Sequence, residues 1–489
     1  MTTTEPAVQP LDLPFDSVYV DGAWTSPSGD AIEVVEPATE QVLGTIRDSS
    51  SDTIDAALKA ARAAWPDWAA TPVAQRADWL DRLADAFERH GEQLAVLASR
   101  EIGMPIAQSR QVQVGLPVRV LRSTADIGRA FEWESRDASG STIVRDGAGV
   151  ALAITPWNFP VHQIIAKLAP ALMAGCTVVV KPAELTPFNA LFVAALCHEI
   201  GLPPGVVNVV TGYGATTGEK LLQSGGYDVV SFTGSLAIGR HVGSVAGQAI
   251  VRAALELGGK SPAVALDDAD LETAVRTTVR NCFVNTGQKC NAPSRLIVPE
   301  AVRAQAVEIA ADEASRFVIG DPLSEQTTMG PMASDVQRTK VRGYIDGARS
   351  RGATVLSGDK TAAFDRGYYI DPAIVTDVST DDPIAREEVF GPALVVLGHG
   401  GDDDAVRIAN DSEYGLSSEV WSADEQRVAR LARRINAGQV RVNGVRTPAL
   451  PVSPFGGYKR SGLGREMGPL ALEDYLEVKA VLGDPELDH

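Results

Sequence analysis

Cysteine is scarce in this chain: its 489 residues hold four, Cys176, Cys197, Cys282 and Cys290. Four are too few for a disulfide framework in a chain of this length, and no pair has the spacing of metal ligands, so a reducing compartment and no metal site are expected. The six histidines form no cluster, and none stands where a triad base would. Long apolar runs are missing as well. The longest stretches, such as Ala169–Val180, are too short to cross a bilayer. The first residues, Met1-Thr-Thr-Thr-Glu-Pro-Ala-Val-Gln-Pro, carry neither a basic segment nor an apolar one of the secretory kind. A cytoplasmic protein with no membrane partner is the expectation. Excess positive charge is also absent: the formal net charge is −19, which argues against a nucleic-acid surface and favours plain solubility.

What is present points to an α/β protein. The length calls for two or three domains, and 45% apolar residues can fill their cores. Residues 1–15 read as a loose arm, and Val18–Trp24 with Ala31–Val35 as a hairpin region turning at Asp21-Gly22. Ser51–Trp68 and Val73–Ile102 carry apolar positions at helical spacing, and helix is expected to resume after Pro117. In the middle, five short runs rich in Val and Ile (Val150–Thr155, Thr177–Val180, Val206–Val210, Val229–Phe232, Ile250–Leu257) alternate with four helical stretches, Pro160–Met173, Pro187–Ile200, Gly214–Gln223 and Ser235–Ala246. That alternation predicts a parallel, doubly wound sheet, which binds ligands beyond its strand C-termini. A second α/β series follows. Strands are expected near Ser261–Ala265, Leu394–Leu397, Ser417–Trp421 and Gln439–Val442, and a final one over Asp474–Leu482. The region 444–469 reads as loop, and 483–489 as an acidic tail.

Several short motifs fall at the predicted strand ends. Cys290 lies in a loop after a helix, in Phe283-Val-Asn-Thr-Gly-Gln-Lys-Cys290, and Glu256 ends an apolar strand in Leu255-Glu-Leu-Gly-Gly-Lys260. A lone thiol and a lone carboxylate at such a mouth can act as a nucleophile and its base. Asn158, in Ile154-Thr-Pro-Trp-Asn-Phe-Pro160, can aim an amide donor at developing negative charge, a contribution of about 3–4 kcal/mol in an oxyanion hole, or simply close an Asx turn. Phe232-Thr-Gly-Ser-Leu-Ala-Ile-Gly239 bares a helix N-terminus suited to pyrophosphate, or is an ordinary Ser-capped helix start. Lys181 and Glu184 can meet ribose hydroxyls or form a solvated loop, and the acids of Glu387-Glu-Val-Phe-Gly-Pro392 can bind a ribose or sit on a surface turn. Cys176, Cys197 and Cys282 read as small buried hydrophobes. An unperturbed thiol has a pKa of about 8.5, so a nucleophilic Cys290 needs help, from a nicotinamide cation or from Lys167.

Taken together and in order, these motifs resemble the aldehyde dehydrogenase family. The matching set is Pro156–Pro160, Lys181–Glu184, Phe232–Ser235, Leu255–Lys260, Gly287–Cys290, Glu387–Pro392 and Pro454-Phe-Gly-Gly-Tyr-Lys459. The resemblance covers nearly the whole chain, and seven motifs in order are specific where each alone is modest. It implies Cys290 as nucleophile, Glu256 as general base, Asn158 with the Cys290 N–H as oxyanion hole, and Lys167 nearby. It implies NAD, with NADP possible, held by Lys181 and Glu184 at the adenosine ribose, Gly234 and Ser235 at the pyrophosphate, Gly239 in the close-packed helix, and Glu388 and Phe390 at the nicotinamide end. Thr155, Pro156, Trp157, Gly214, Phe232, Thr233 and Leu257 complete the implied cofactor cleft, and Gln163, Ala166 and Phe455 the implied substrate passage.

The resemblance also implies domains: residues 1–134 with 150–258 for the dinucleotide, 259–471 for catalysis, and 135–149 with 472–489 as an oligomerisation β-flap and tail. A homodimer or homotetramer acting on a small aldehyde is implied. Glu256 favours water over coenzyme A as acyl acceptor, and Glu184 favours NAD. An NADP-preferring or CoA-acylating semialdehyde dehydrogenase is the alternative, and a catalytically silent relative a further one. The residue after Cys290 is Asn291, so the paired cysteines of some succinic semialdehyde relatives are absent, and Met104 replaces a frequent family lysine. Ala166 and Ala449 are small where relatives carry aromatics, which suggests a wide mouth bordered by Thr447–Val452.

Overall fold

The computed structural model describes residues 14–444 and 451–483. Ala449 and most of Thr447–Val452, the arm up to residue 13 and the tail from 484 lie outside them.

The first sheet grows from the predicted alternation. Strand β1 (Val18–Val20) pairs with its hairpin partner Ala23–Thr25 through a turn at Asp21 and Gly22, both at positive φ. Next come β2 (Val150–Ile154), helix α1 (Pro160–Ala174), β3 (Thr177–Lys181), α2 (Pro187–Glu199), β4 (Val207–Val209), β5 (Val229–Thr233), α3 (Leu236–Ala249) and β6 (Arg252–Glu256). The five core strands lie parallel in the order β4-β3-β2-β5-β6, with β1 antiparallel on β4 and Gly462–Leu463 antiparallel on β6. Helix α1 is buried along its whole length: most of its residues are apolar, and its polar ones, His162, Gln163 and Lys167, are buried with them. The chain reverses its direction of travel across the sheet between β2 and β5. Ligands of doubly wound sheets sit at that point, beyond the strand C-termini.

The second sheet contains β7 (Pro262–Ala265), then, after helix α4 (Leu271–Cys282), β8 (Arg295–Pro299), β9 (Ala373–Thr376), β10 (Ala393–His399), β11 (Ser417–Trp421) and β12 (Gln439–Val442). Its parallel order is β9-β10-β8-β7-β11-β12, closed by an antiparallel edge strand, Thr354–Ser357. A third sheet joins Glu134–Arg136, Thr142–Gly147 and Leu476–Val481. It is tied to β6 by Arg252, which pairs with Glu477 at 2.9 Å and donates to the Leu476 carbonyl.

The structure corrects the sequence reading in several places, and Ala31–Glu36 pairs with Gln41–Arg47, apart from the Val18–Thr25 hairpin. Val73–Ile102 is two helices, Val73–Arg89 and Gly91–Ile102, broken at His90, whose ring meets Glu199 at 2.7 Å. Helix begins at Ile106, ahead of Pro117, which occupies the first turn of a helical segment that its missing N–H does not disturb. β8, β9 and the edge strand Thr354–Ser357 fall where no strand was expected, because each holds only two or three consecutive aliphatic residues, too few to show a period. The region 444–469 contains Tyr458–Lys459 and Gly462–Leu463, two-residue strands too short to leave a pattern.

Candidate active site

The C-terminal edge of the first sheet faces the N-terminal edge of the second, and the predicted residues converge there. Asn158 follows β2, Thr233, Gly234 and Ser235 end β5 or follow it, and Glu256 ends β6. From the other side, Cys290 precedes β8, and Glu388 and Phe390 precede β10.

The loop carrying Cys290 is held against its own preference. Asn285, Thr286 and Gly287 lie consecutively at positive φ (51°, 56° and 72°), which costs roughly 1–3 kcal/mol for each non-glycine residue. Side chains and their carbonyl partners offset that strain. Asn285 Nδ2 donates to the Asn158 carbonyl at 2.9 Å, Thr286 Oγ1 to the Gly330 carbonyl at 2.9 Å, and Gln288 accepts from the Ala333 N–H at 2.9 Å. At Gly287 a Cβ would lie 2.2 Å from the Gly391 carbonyl oxygen, so only glycine fits. Asn158 Nδ2 donates to the Gln288 carbonyl at 3.0 Å, which fixes the amide beside Cys290. Burial pushes the Cys290 thiol up to about 12, and the carboxylates of Glu388, Glu256 and Glu466 add to the effect while Lys289 opposes it.

Glu256 is buried, with Oε2 lacking any hydrogen-bond partner. Burial first, and then the neighbouring Glu466, raise it well above the usual carboxylate range. Glu466 is a functional candidate absent from the sequence reading. It sits buried in the Gly-rich segment after the last motif, and its Oε1 is paired with Lys167 Nζ, which also donates to Thr233 Oγ1 at 2.6 Å. No local pattern signals it; only the fold brings it to Lys167, 299 residues away in sequence.

Two clefts meet at Cys290. The first, about 170 Å³, is lined by Pro156, Trp157 and Asn158 after β2, by Thr233, Gly234 and Ser235 at the start of α3, and by Glu256, Leu257, Glu388 and Phe390. Gln337 and Lys340, from the helix Asp335–Ser350, also line it. Neither was anticipated, since both lie on an amphipathic helix with no motif. The second cleft, about 280 Å³, runs past Phe159, Val284 and Phe455 to Gln439 and Arg441. Gln163 and Cys290 border both. Ala166, one turn beyond Gln163, is fully buried and lines neither cleft.

The first cleft has the features a dinucleotide requires. Ser235 caps α3, accepting from the Ile238 N–H at 3.4 Å, and the helix's positive end opens into the cleft. A Cβ on Gly239 would strike Leu257 at 2.3 Å, so this glycine lets the helix start lie close against the chain beyond β6. Further along the same sheet edge, the buried Lys181 lies 3.6 Å from Glu184, and Gly214 begins the turn beyond β4. Glu388 accepts from the Gly259 N–H at 3.1 Å, and burial lifts its carboxyl to about 7. Trp157 and Phe390 meet edge to face at 5.4 Å. Thr155 keeps a buried, unpartnered hydroxyl, while Phe232 backs Gly234 from within β5. Among the described residues, no cluster of His, Cys, Asp and Glu could hold a metal, and no helix is long and apolar enough to cross a membrane.

A sequence model of the aldehyde dehydrogenase family matches residues 24–481. The chain belongs to that family. It is 42% identical to a 3-succinoylsemialdehyde-pyridine dehydrogenase from a Pseudomonas species, over 95% of this chain and 98% of that one. An aminoaldehyde dehydrogenase of Arabidopsis thaliana is 37% identical, over 96% of each chain. Among solved structures, a cysteine-to-alanine mutant of aldehyde dehydrogenase C from Pseudomonas syringae, in complex with NAD+ and octanal, superposes with a TM-score of 0.93. It is 40% identical and covers 96% of this chain and 97% of its own. The chain is thus an oxidoreductase of the kind that acts on aldehydes.

Proposed function

We propose that this enzyme oxidises an aldehyde to the free carboxylic acid through a covalent intermediate on Cys290, with NAD as acceptor. The observation that carries the reading is the place of Cys290, where the cleft built around the start of α3 meets the largely apolar second cleft. The cofactor would lie from the first cleft along the same sheet edge, with Lys181 and Glu184 holding the adenosine ribose, Gly234 and Ser235 the pyrophosphate, and Glu388 the nicotinamide ribose. When bound, it supplies the hydride acceptor.

The chain's own residues do the rest. Cys290 Sγ attacks the carbonyl carbon and gives a thiohemiacetal alkoxide. The Asn158 amide and the Cys290 N–H stabilise that charge, and after oxidation a thioester remains on Sγ. Glu256 takes a proton from the water that attacks the thioester, and its raised pKa makes its carboxylate a stronger base than an exposed one. Glu466 and Lys167 form a buried ion pair close enough to act on its charge. Water as acceptor separates this reading from CoA acylation.

The domain boundaries inferred from the motifs, a homodimer or homotetramer joined through the flap, and a cytoplasmic setting belong to the same proposal. Dinucleotide reduction by the purified protein with a neutral aldehyde, run in parallel with Cys290→Ala, tests it. Free acid formed with reduction of NAD, and no turnover in the variant, is expected. Turnover surviving in Cys290→Ala would remove the covalent step.

A further inference from the structure

The second cleft carries a charge pattern opposite to that of the protein. The chain's formal charge is −19, yet the described residues lining this cleft include two cations, Lys289 and Arg441, and no acid. Arg441 stands on β12 directly across from Glu419 on β11. Glu419 is buried within a strand that is buried throughout; its Oε1 accepts from Asn281 Nδ2 at 2.9 Å and its Oε2 has no hydrogen-bond partner. Arg441 approaches that carboxylate only to 3.8 Å, beyond hydrogen-bond reach, and its side chain keeps 29% of its surface exposed. Among the described residues its guanidinium donates no hydrogen bond, so its N–H groups remain available on the cleft side.

A buried carboxylate beneath an arginine has two readings. Arg441 serves only to neutralise Glu419, or Glu419 anchors an arginine whose purpose lies in the cleft. A pair built for neutralisation alone would close to hydrogen-bond distance, since a bidentate contact at 2.7–2.9 Å is much the stronger arrangement. The open geometry and the placement on the cleft wall favour the second. The same lining includes the apolar side chains of Val112, Leu116, Phe159, Val284 and Phe455. The cleft therefore brings Cys290, apolar side chains and a planar guanidinium into one space.

We propose that Arg441 is a specificity-determining residue and that the preferred substrates are aldehydes carrying a carboxylate at the end remote from the carbonyl. The inference rests on the aldehyde-oxidising reading of Cys290 and names the substrate class. Arg441 receives the remote carboxylate through its free N–H groups, with Lys289 adding to the positive field. Aldehydes with a remote ammonium group are disfavoured by the same field.

The test compares ω-oxo carboxylates of graded chain length, each with its methyl ester, and an ω-trimethylammonio aldehyde, by kcat/KM. The wild-type protein and the variants Arg441→Met, Arg441→Lys and Glu419→Gln are each assayed. The wild type is expected to prefer the best carboxylate over its ester by roughly tenfold or more, mainly through KM. That ratio should fall towards one in Arg441→Met and be kept in part by Arg441→Lys. In Glu419→Gln it should rise, because the arginine loses its competing anion while Gln can still accept from Asn281. A purely structural pair would not shift the ratio in opposite directions in the two variants. Equal use of acid and ester by the wild type, a preference for the trimethylammonio aldehyde, or a ratio unmoved in Arg441→Met would overturn the subsite while leaving the oxidation reading intact. Failure of the wild type to oxidise any of these aldehydes would overturn both.

Discussion

At the residue scale the account turns on a thiol and a carboxyl whose charged forms burial disfavours. Cys290 is pushed up to about 12, so without cofactor its thiolate is scarce at neutral pH. Its alkylation by iodoacetamide should be slow at neutral pH and climb about tenfold per pH unit, and bound NAD, bringing a cationic ring, should accelerate it. Mass-spectrometric labelling rates with and without NAD check this; a rapid, pH-independent rate in the free protein would show an already ionised thiol. Glu256 shifts in the same direction, also through burial. A carboxyl with a raised pKa is protonated, and idle as a base, below that value. Thioester hydrolysis should therefore rise as pH increases through the raised pKa, and Glu256→Gln should abolish that limb of the kcat profile. Asn158→Ala should lower kcat by about 10²–10³-fold, the usual effect of losing one oxyanion donor. Cys290, Glu256 and Asn158 were legible because each sits in a short local motif. Glu466 was not, because its pairing with Lys167 exists only after the chain has folded.

At the scale of elements, two supports hold the site from outside it. Glu101 ends one helix and serves the start of another. It accepts from the Phe188 and Asn189 N–H groups at 2.8 and 3.0 Å, at the N-terminus of α2, where Thr186 makes no side-chain cap. Glu101→Ala should destabilise the protein by about 2–4 kcal/mol, since it strands buried donors at that helix start. A fall in the denaturant midpoint measures it. Gly287→Ala should instead damage activity, because the added methyl collides with Gly391 and displaces the Cys290 loop. The five parallel strands and intervening helices of the first half were readable because Gly and Pro punctuate Val- and Ile-rich runs. In the second sheet β8 and β9 escaped, being short, almost wholly buried and without alternation. The left-handed turn at Asn285 and Thr286 had no signature either, because side-chain bonds to distant carbonyls hold it.

At the scale of the molecule, the sheet made by Glu134–Arg136, Thr142–Gly147 and Leu476–Val481 leaves an open edge along its last strand, where Val478 is 65% exposed. Such an edge invites a partner strand. Val478→Pro, which removes a donor from that edge, should shift the species seen by analytical ultracentrifugation towards the monomer. An unchanged sedimentation coefficient would place the contact elsewhere. Arg252 links this sheet to β6, whose last residue is Glu256, so loss of assembly should also depress kcat. The two-sheet architecture was visible in the order of the motifs. The meeting of one sheet's C-terminal edge with the other's N-terminal edge was not, because no local run of residues encodes how two domains face each other.

The central claim is that Cys290 is acylated and that Glu256 frees it. The most direct measurement is mass spectrometry of Glu256→Gln after mixing with NAD and an aldehyde, alongside the rapid phase of NADH formation. The account predicts a burst approaching one NADH per site and an adduct on Cys290 equal to the aldehyde less two hydrogens. NADH formed with no adduct on Cys290, or an equal burst when Cys290 is replaced by alanine, would contradict it.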